Sequence, residues 1–220
     1  MDDLSVFMSW MPKLERITLD VQIRNRRTLK DSLAGFSRLT TLDIRPRTMT
    51  VQMVIDWSVD TRAFLHELGD QLRSLKLWLS FFAFSLWDES TSQENVHHVL
   101  DLSKNQRLKY LSLHGMDTSV PARFYEVLSS ISKYAPLEEV SLHLEFKTTS
   151  EVGQVNFHCV DTYLHVISRK EKYFYKPCVV IYFLESAVDL KQCDTTDMPP
   201  AIHLQFPLLE SLQSLDVRKE

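Results

Sequence analysis

Aliphatic residues recur along this chain as one trio: two positions three apart, then a third two further on. The pattern LxxLxL occurs at Leu14, Ile17, Leu19; Leu39, Leu42, Ile44; Leu72, Leu75, Leu77; Leu108, Leu111, Leu113; Leu137, Val140, Leu142; and Leu212, Leu215, Val217. The first positions are separated by 25, 33, 36, 29 and 75 residues. The last gap is about twice the others, which predicts a degenerate copy between Leu142 and Leu212. The β-forming run Pro177 to Leu184 (PCVVIYFL) is the candidate. Between the trios the spacing turns helical. Leu29, Leu33 and Phe36; Phe64, Leu65 and Leu68; Phe124, Leu128, Ile131 and Ala135; and Phe157, Val160, Leu164 and Ile167 each draw one apolar stripe. Val96, Val99 and Leu100 supply a shorter stripe, entered through Ser92 as N-cap.

A strand followed by a helix, repeated at this period, predicts an α/β solenoid of six or seven irregular repeats. Parallel strands would line its concave face and helices its convex face. Side chains alternate faces along a strand, so the last two trio positions point together toward the helices. The first position closes the corner into the strand. Burying each such Leu or Ile contributes about 1.5–3 kcal/mol, which makes the trios the main driving force. A doubly wound α/β domain also alternates strand and helix. Such domains usually carry a glycine-rich strand-to-helix turn and near-continuous Val/Ile strands, whereas these strands share a leucine spacing and hold polar residues between.

Composition narrows the function. The 220 residues suffice for a single domain, 1–220, that buries roughly 70% of the surface of the unfolded chain. Leucine contributes 31 of them, about 14%, well above an ordinary globular share. The 25 basic and 29 acidic residues leave no single-sign field, so nothing steers the chain toward nucleic acid. Four dispersed glycines (Gly35, Gly69, Gly115, Gly153) exclude the glycine-rich phosphate loops. Cys159, Cys178 and Cys193 form no CxxC pair and read as reduced thiols. The start, Met1 to Trp10, lacks the basic flank and cleavage site of a signal peptide. The most apolar window, Leu77 to Trp87, falls short of the ~20 residues that span a bilayer. No membrane span is expected, and a cytoplasmic or nuclear location follows by default.

The phrases MPKLERITL (Met11 to Leu19), FSRLTTLDI (Phe36 to Ile44), NQRLKYLSL (Asn105 to Leu113), APLEEVSLHL (Ala135 to Leu144) and PLLESLQSLDV (Pro207 to Val217) carry a family likeness. The chain resembles leucine-rich repeats of the long, ribonuclease-inhibitor-like kind, and the repeat region of fungal F-box/leucine-rich-repeat proteins. The resemblance covers nearly the whole chain at the level of pattern. It implies a non-catalytic protein–protein interaction scaffold, like the substrate-recruiting half of a ubiquitin ligase subunit, or a structural or regulatory repeat protein without ubiquitin chemistry. The sequence departs from the family in three ways. The Asn or Cys usual after the third leucine is missing from most copies, the spacings drift, and the first copy at Leu14 leaves no room for an F-box. Contact with ubiquitin-ligase subunits through an F-box is therefore expected to lie outside this chain. Both ends read as cut, with Leu4 to Met11 resembling the end of a preceding repeat's helix. A degenerate repeat is expected near 156–184 and an irregular inserted loop near 185–206.

The leucine register also orders the residues between them into outward rows. The first is Arg16, Thr41, Ser74, Tyr110, Glu139, Ser214; the second Thr18, Asp43, Lys76, Ser112, Ser141, Asp216; the third Asp20, Arg45, Trp78, His114, His143, Arg218. Tyr182 joins the third if Val179, Ile181 and Phe183 point inward, a register the sequence leaves open. Trp, Tyr and Arg most often carry interface energy. The candidate protein-binding residues of the concave face are therefore Arg16, Asp20, Arg45, Lys76, Trp78, Tyr110, His114, Glu139 and His143, centred on Trp78, Tyr110 and His114. The alternative is that they are scattered surface residues covered by loops.

Catalytic and metal chemistry finds little footing. His114 and His143 lie side by side, without a third or fourth ligand for a metal. His158, Asp161 and His165 share one helical face, which reads as a solvated helix side. His97 and His98 diverge by about 100° on a helix. No GxSxG elbow exists, and His66-Glu67 lacks the second histidine of a metalloprotease helix. No cofactor and no catalysis are expected. The aromatic run Trp78, Phe81, Phe82, Phe84, Trp87 either closes a core or forms a partner-binding loop.

Overall fold

The computed structural model describes residues 14–21, 38–46, 61–79, 100–115, 120–132, 134–146, 149–169, 178–185, 198–212 and 215–219. Among these residues seven strands form one sheet: β1 (Arg16–Val21), β2 (Thr41–Pro46), β3 (Ser74–Trp78), β4 (Tyr110–Gly115), β5 (Glu139–Phe146), β6 (Cys178–Glu185) and β7 (Leu215–Lys219). All pairings are parallel, and the spatial order is the chain order. A doubly wound sheet reverses its strand order at a switch point. This sheet steps one way throughout, which fits a leucine-rich-repeat-like solenoid.

Among the described residues the helices are α1 (61–68), α2 (Val120–Ser129), α3 (Thr149–Gln154), α4 (His158–Arg169), α5 (Met198–Gln205) and α6 (Pro207–Ser211), with a 3-10 turn at Gly69–Gln71. None among the described residues is long and apolar enough to cross a membrane. Because parallel crossovers in one sheet are right-handed, steps in a constant direction gather the helices on one face. The core bears this out chemically: strand residues join Phe64, Phe124, Phe157 and Phe206 in a single apolar cluster.

The trios align residue for residue. Ile17, Leu42, Leu75, Leu111, Val140, Val179 and Leu215 lie in register across the sheet, as do the positions from Leu19 and Ile44 through Ile181 to Val217. The register of the irregular copy is thereby settled, with Val179, Ile181 and Phe183 buried against the helices. The leading positions Leu39, Leu72 and Leu108 are fully buried at the strand entry. One backbone device recurs there. The carbonyl of Glu15 accepts the N–H groups of Thr40 and Thr41, that of Thr40 accepts Arg73 and Ser74, that of Arg73 accepts Lys109 and Tyr110, and that of Lys109 accepts Glu138 and Glu139. The same pair of bonds at successive junctions holds the strand starts level and satisfies donors that the turn would otherwise bury unpaired.

Two polar arrangements escape the leucine pattern. Asn105 is completely buried, and its amide donates to the carbonyls of Leu65 (2.9 Å) and Gly69 (3.1 Å). It thus closes the C-terminal end of α1, whose last carbonyls lack intrahelical partners. The chain leaves that helix through Gly69 at φ +43°, a backbone conformation glycine adopts without a Cβ penalty. Asp161 is also fully buried, and its two oxygens accept the N–H groups of Leu209 and Leu208, each at 3.0 Å. It caps α6 from the first turn of α4, which corrects the expectation of a solvated helix side. His165, one turn on, meets the Leu208 carbonyl at 3.1 Å, while His158 is exposed.

Part of the expected loop at 185–206 is helical instead, over Met198–Gln205, while 186–197 lie outside the described residues. The two prolines of that helix fall in the first turn, where a missing N–H costs nothing. The helical stripe at Leu29 to Phe36, the Val96–Val99 stripe with Ser92, His97 and His98, the aromatic run beyond Leu79, Cys193 and the stretch Leu4 to Met11 lie outside the described residues.

Candidate protein-binding face

Strand pairing places the outward residues in the three rows the sequence implies. Arg16, Thr41, Ser74, Tyr110 and Glu139 align on β1 to β5, continued by Cys178. Thr18, Asp43, Lys76, Ser112 and Ser141 align beside them, continued by Val180 and Asp216. Asp20 and Arg45 pair in the third row, as do Trp78, His114, His143, Tyr182 and Arg218. Nothing is described of the Asp20 side chain. Val180 is buried although it faces away from the trio side.

The third row is a ladder of stacked rings. Trp78 lies on His114 at 4.2 Å between centroids, His114 on His143 at 3.7 Å, and His143 on Tyr182 at 4.5 Å, with interplanar angles of 17°, 15° and 13°. Parallel strands in perfect register impose this geometry, since the strand spacing of about 4.8 Å is close to the thickness of a stacked ring pair. Each such contact contributes about 0.5–1.5 kcal/mol beyond burial.

Both ends of the ladder carry the same device. The Arg45 guanidinium lies 5.3 Å from the Trp78 ring centroid and is fixed by two bonds to Asp43, at 3.0 and 2.7 Å. Arg218 donates to the Tyr182 hydroxyl at 3.4 Å and grips Asp216 with Nε at 2.8 Å. A cation over an indole face is favourable, and Lys76 adds a second at 5.4 Å from the same ring.

The ladder corrects one expectation. His114 is only 3% exposed and His143 8%, so neither offers a free surface to a partner. Burial first, then the charges of His143, Lys76 and Arg45, push the His114 imidazole down to about 2. The ring is neutral, and its Nε2 sits 3.1 Å from the Ser112 hydroxyl. A protonated imidazole in this stack would be desolvated and would face the like charges of Lys76 and Arg45. Of the ring side chains, Trp78 and Tyr182 are half-buried.

Rows one and two are different in kind. Between β1 and β5 they enclose an open groove of about 420 Å³, floored by the small hydroxyl side chains of Thr18, Thr41, Ser74, Ser112 and Ser141. Tyr110, 43% exposed, stands at its rim. Its hydroxyl donates to Glu138 at 2.6 Å, and Lys109 holds the other oxygen of that carboxylate. The Lys109 bond, then the Tyr110 bond, keep the Glu138 carboxyl below the usual carboxylate range. Asp43 turns Oδ2 to Arg45, and its Oδ1 is buried without a hydrogen-bond partner.

Free thiols stand at Cys159 and Cys178, the latter raised by burial and by Glu139 and Asp216. Among the described residues no group of three or more His, Cys, Asp or Glu gathers as a metal site. The sequence matches no family model, and neither a curated protein nor a solved structure matches it. The sheet face itself therefore carries the functional reading.

Proposed function

We propose that this chain is a protein-interaction module of the leucine-rich-repeat type that receives a protein partner on the outward face of its sheet. One observation carries the reading: the outward residues of successive strands form unbroken rows, and two of those rows border an open, hydroxyl-floored groove. A surface assembled from one side chain per strand at fixed spacing suits recognition of an extended or flat partner. Arg16, Arg45, Lys76, Trp78, Tyr110 and Glu139 are its contact candidates. His114 and His143 support it from beneath by stacking.

The resemblance to the repeat region of F-box proteins makes substrate recruitment to a ubiquitin ligase the preferred setting. A structural or regulatory repeat protein is the second. The module has no catalytic role in either.

A photo-crosslinking residue at Ser74, on the groove floor, and one at Thr162, exposed on α4, test the assignment in cells. The proposal expects a distinct cross-linked partner from position 74 and none from 162. Cross-links confined to position 162 would overturn it. Co-precipitation of cullin-ligase subunits with the full-length gene product decides the ubiquitin setting.

A further inference from the structure

The charges of the groove are not evenly placed. Of the four charged residues that line it, Asp43 is already paired, with Arg45. Three remain without an ion pair among the described residues: Arg16 on β1 and Lys76 on β3 are basic, and Glu139 on β5 is acidic. The groove thus has a basic end and an acidic end.

Resting on the interaction reading above, we propose that the groove takes an extended peptide segment of its protein partner, laid across the strands. That segment carries an acidic side chain toward Lys76 and a basic side chain four residues away toward Glu139. The spacing follows from the sheet. Lys76 and Glu139 are two strands apart, about 9.6 Å, and one row apart along the strand, about 6.6 Å, which combine to about 12 Å. An extended chain places residues i and i+4 on one face about 13 Å apart. Arg16 reinforces Lys76 at the basic end of the groove. The small hydroxyl floor leaves room for a main chain to lie close. The ring ladder beside it is closed to entry, so the peptide is confined to the first two rows.

The test uses the full chain against a displayed library of random twelve-residue peptides, followed by fluorescence polarisation of the selected sequences. Selection on the wild-type chain is expected to enrich an acidic residue followed, or preceded, by a basic residue four positions away. The double variant K76E/E139K should lose tenfold or more in affinity for those peptides and regain it for peptides with the two charges exchanged, because like charges brought together at an interface are strongly disfavoured. Both positions point away from the core, and an unchanged melting temperature confirms that the variant folds. Peptides that bind without a charge pattern, or equally to wild type and double variant, would overturn the proposal while leaving the interaction face standing. Failure to select any peptide would overturn the extended-peptide occupant. Peptides that cross-link only to the helical side would remove the interaction face as well.

Discussion

The ring ladder and the hydroxyl groove share one sheet face, one register and one strand spacing, yet they behave as opposites. In the third row every ring finds a neighbour at stacking distance, and the open ends are closed by arginines anchored on Asp43 and Asp216. On the floor of the first two rows the Ser and Thr side chains are too short to touch across about 4.8 Å, so the space above them stays open. Facing outward is therefore not the same as being available. Side-chain size relative to strand spacing decides whether a row consolidates the fold or exposes a surface.

The largest test of that contrast compares the two sides of one strand. Leu111 is 1% exposed in the core, while its neighbour Ser112 lies on the groove floor. Leu111→Asp should cost more than about 4 kcal/mol and unfold the chain, because it leaves an unpaired charge between sheet and helices. Ser112→Asp should shift stability by less than about 1 kcal/mol. Equal melting temperatures would show that the two sides have been exchanged.

Acid should act on the ladder next. With His114 at about 2 in the folded chain and 6.5 as its ordinary value, the unfolded chain binds the extra proton anywhere between. Stability from this ring is complete above pH 6.5 and falls as the pH drops toward 2. The slope is about 1.4 kcal/mol per pH unit, so about 2–3 kcal/mol is lost by pH 4.5. Denaturant melts of wild type and His114→Phe measure it. A variant that stacks but cannot titrate should flatten that part of the profile, and identical pH profiles would remove His114 as the cause.

Asp161 probes the helical side of the molecule, remote in kind from either row. Asp161→Ala removes both acceptors from the start of α6 and should cost about 1–2 kcal/mol, the usual loss for a deleted cap. Asp161→Asn keeps an acceptor and should recover part of it in the same thermal melt. The smallest effect belongs to the groove: Ser74→Ala should change stability by less than about 0.5 kcal/mol, as an outward hydroxyl with no core role. A larger loss would mean that the floor, like the ladder, holds the fold together.

Much of this architecture was legible from spacing. A period-two alternation inside each trio names the buried side of every strand, and equal trio phase names the register, so Arg16, Thr41, Ser74, Tyr110 and Glu139 could be lined up before any coordinates. The copy at Pro177 to Leu184 stayed ambiguous because apolar residues fill both of its faces. Val180 is buried along with Val179 and Ile181, which leaves no alternation to read. Asp161 and Asn105 were misread or missed for a related reason. Each is polar among apolar neighbours, and its partners lie 36 to 48 residues away, at carbonyls and N–H groups of helix ends that carry no signature in the letters.

By itself the sequence determined which side chains share a face, because a strand repeats every two residues and a helix every 3.6, and these periods are local. Only the tertiary structure decided what each shared face does. His114 and His143 became a buried, neutral stack, and Lys76 and Glu139 became the ends of a groove. Burial, stacking and charge pairing depend on distances between chain segments far apart in sequence, and those distances exist only once the strands stand side by side.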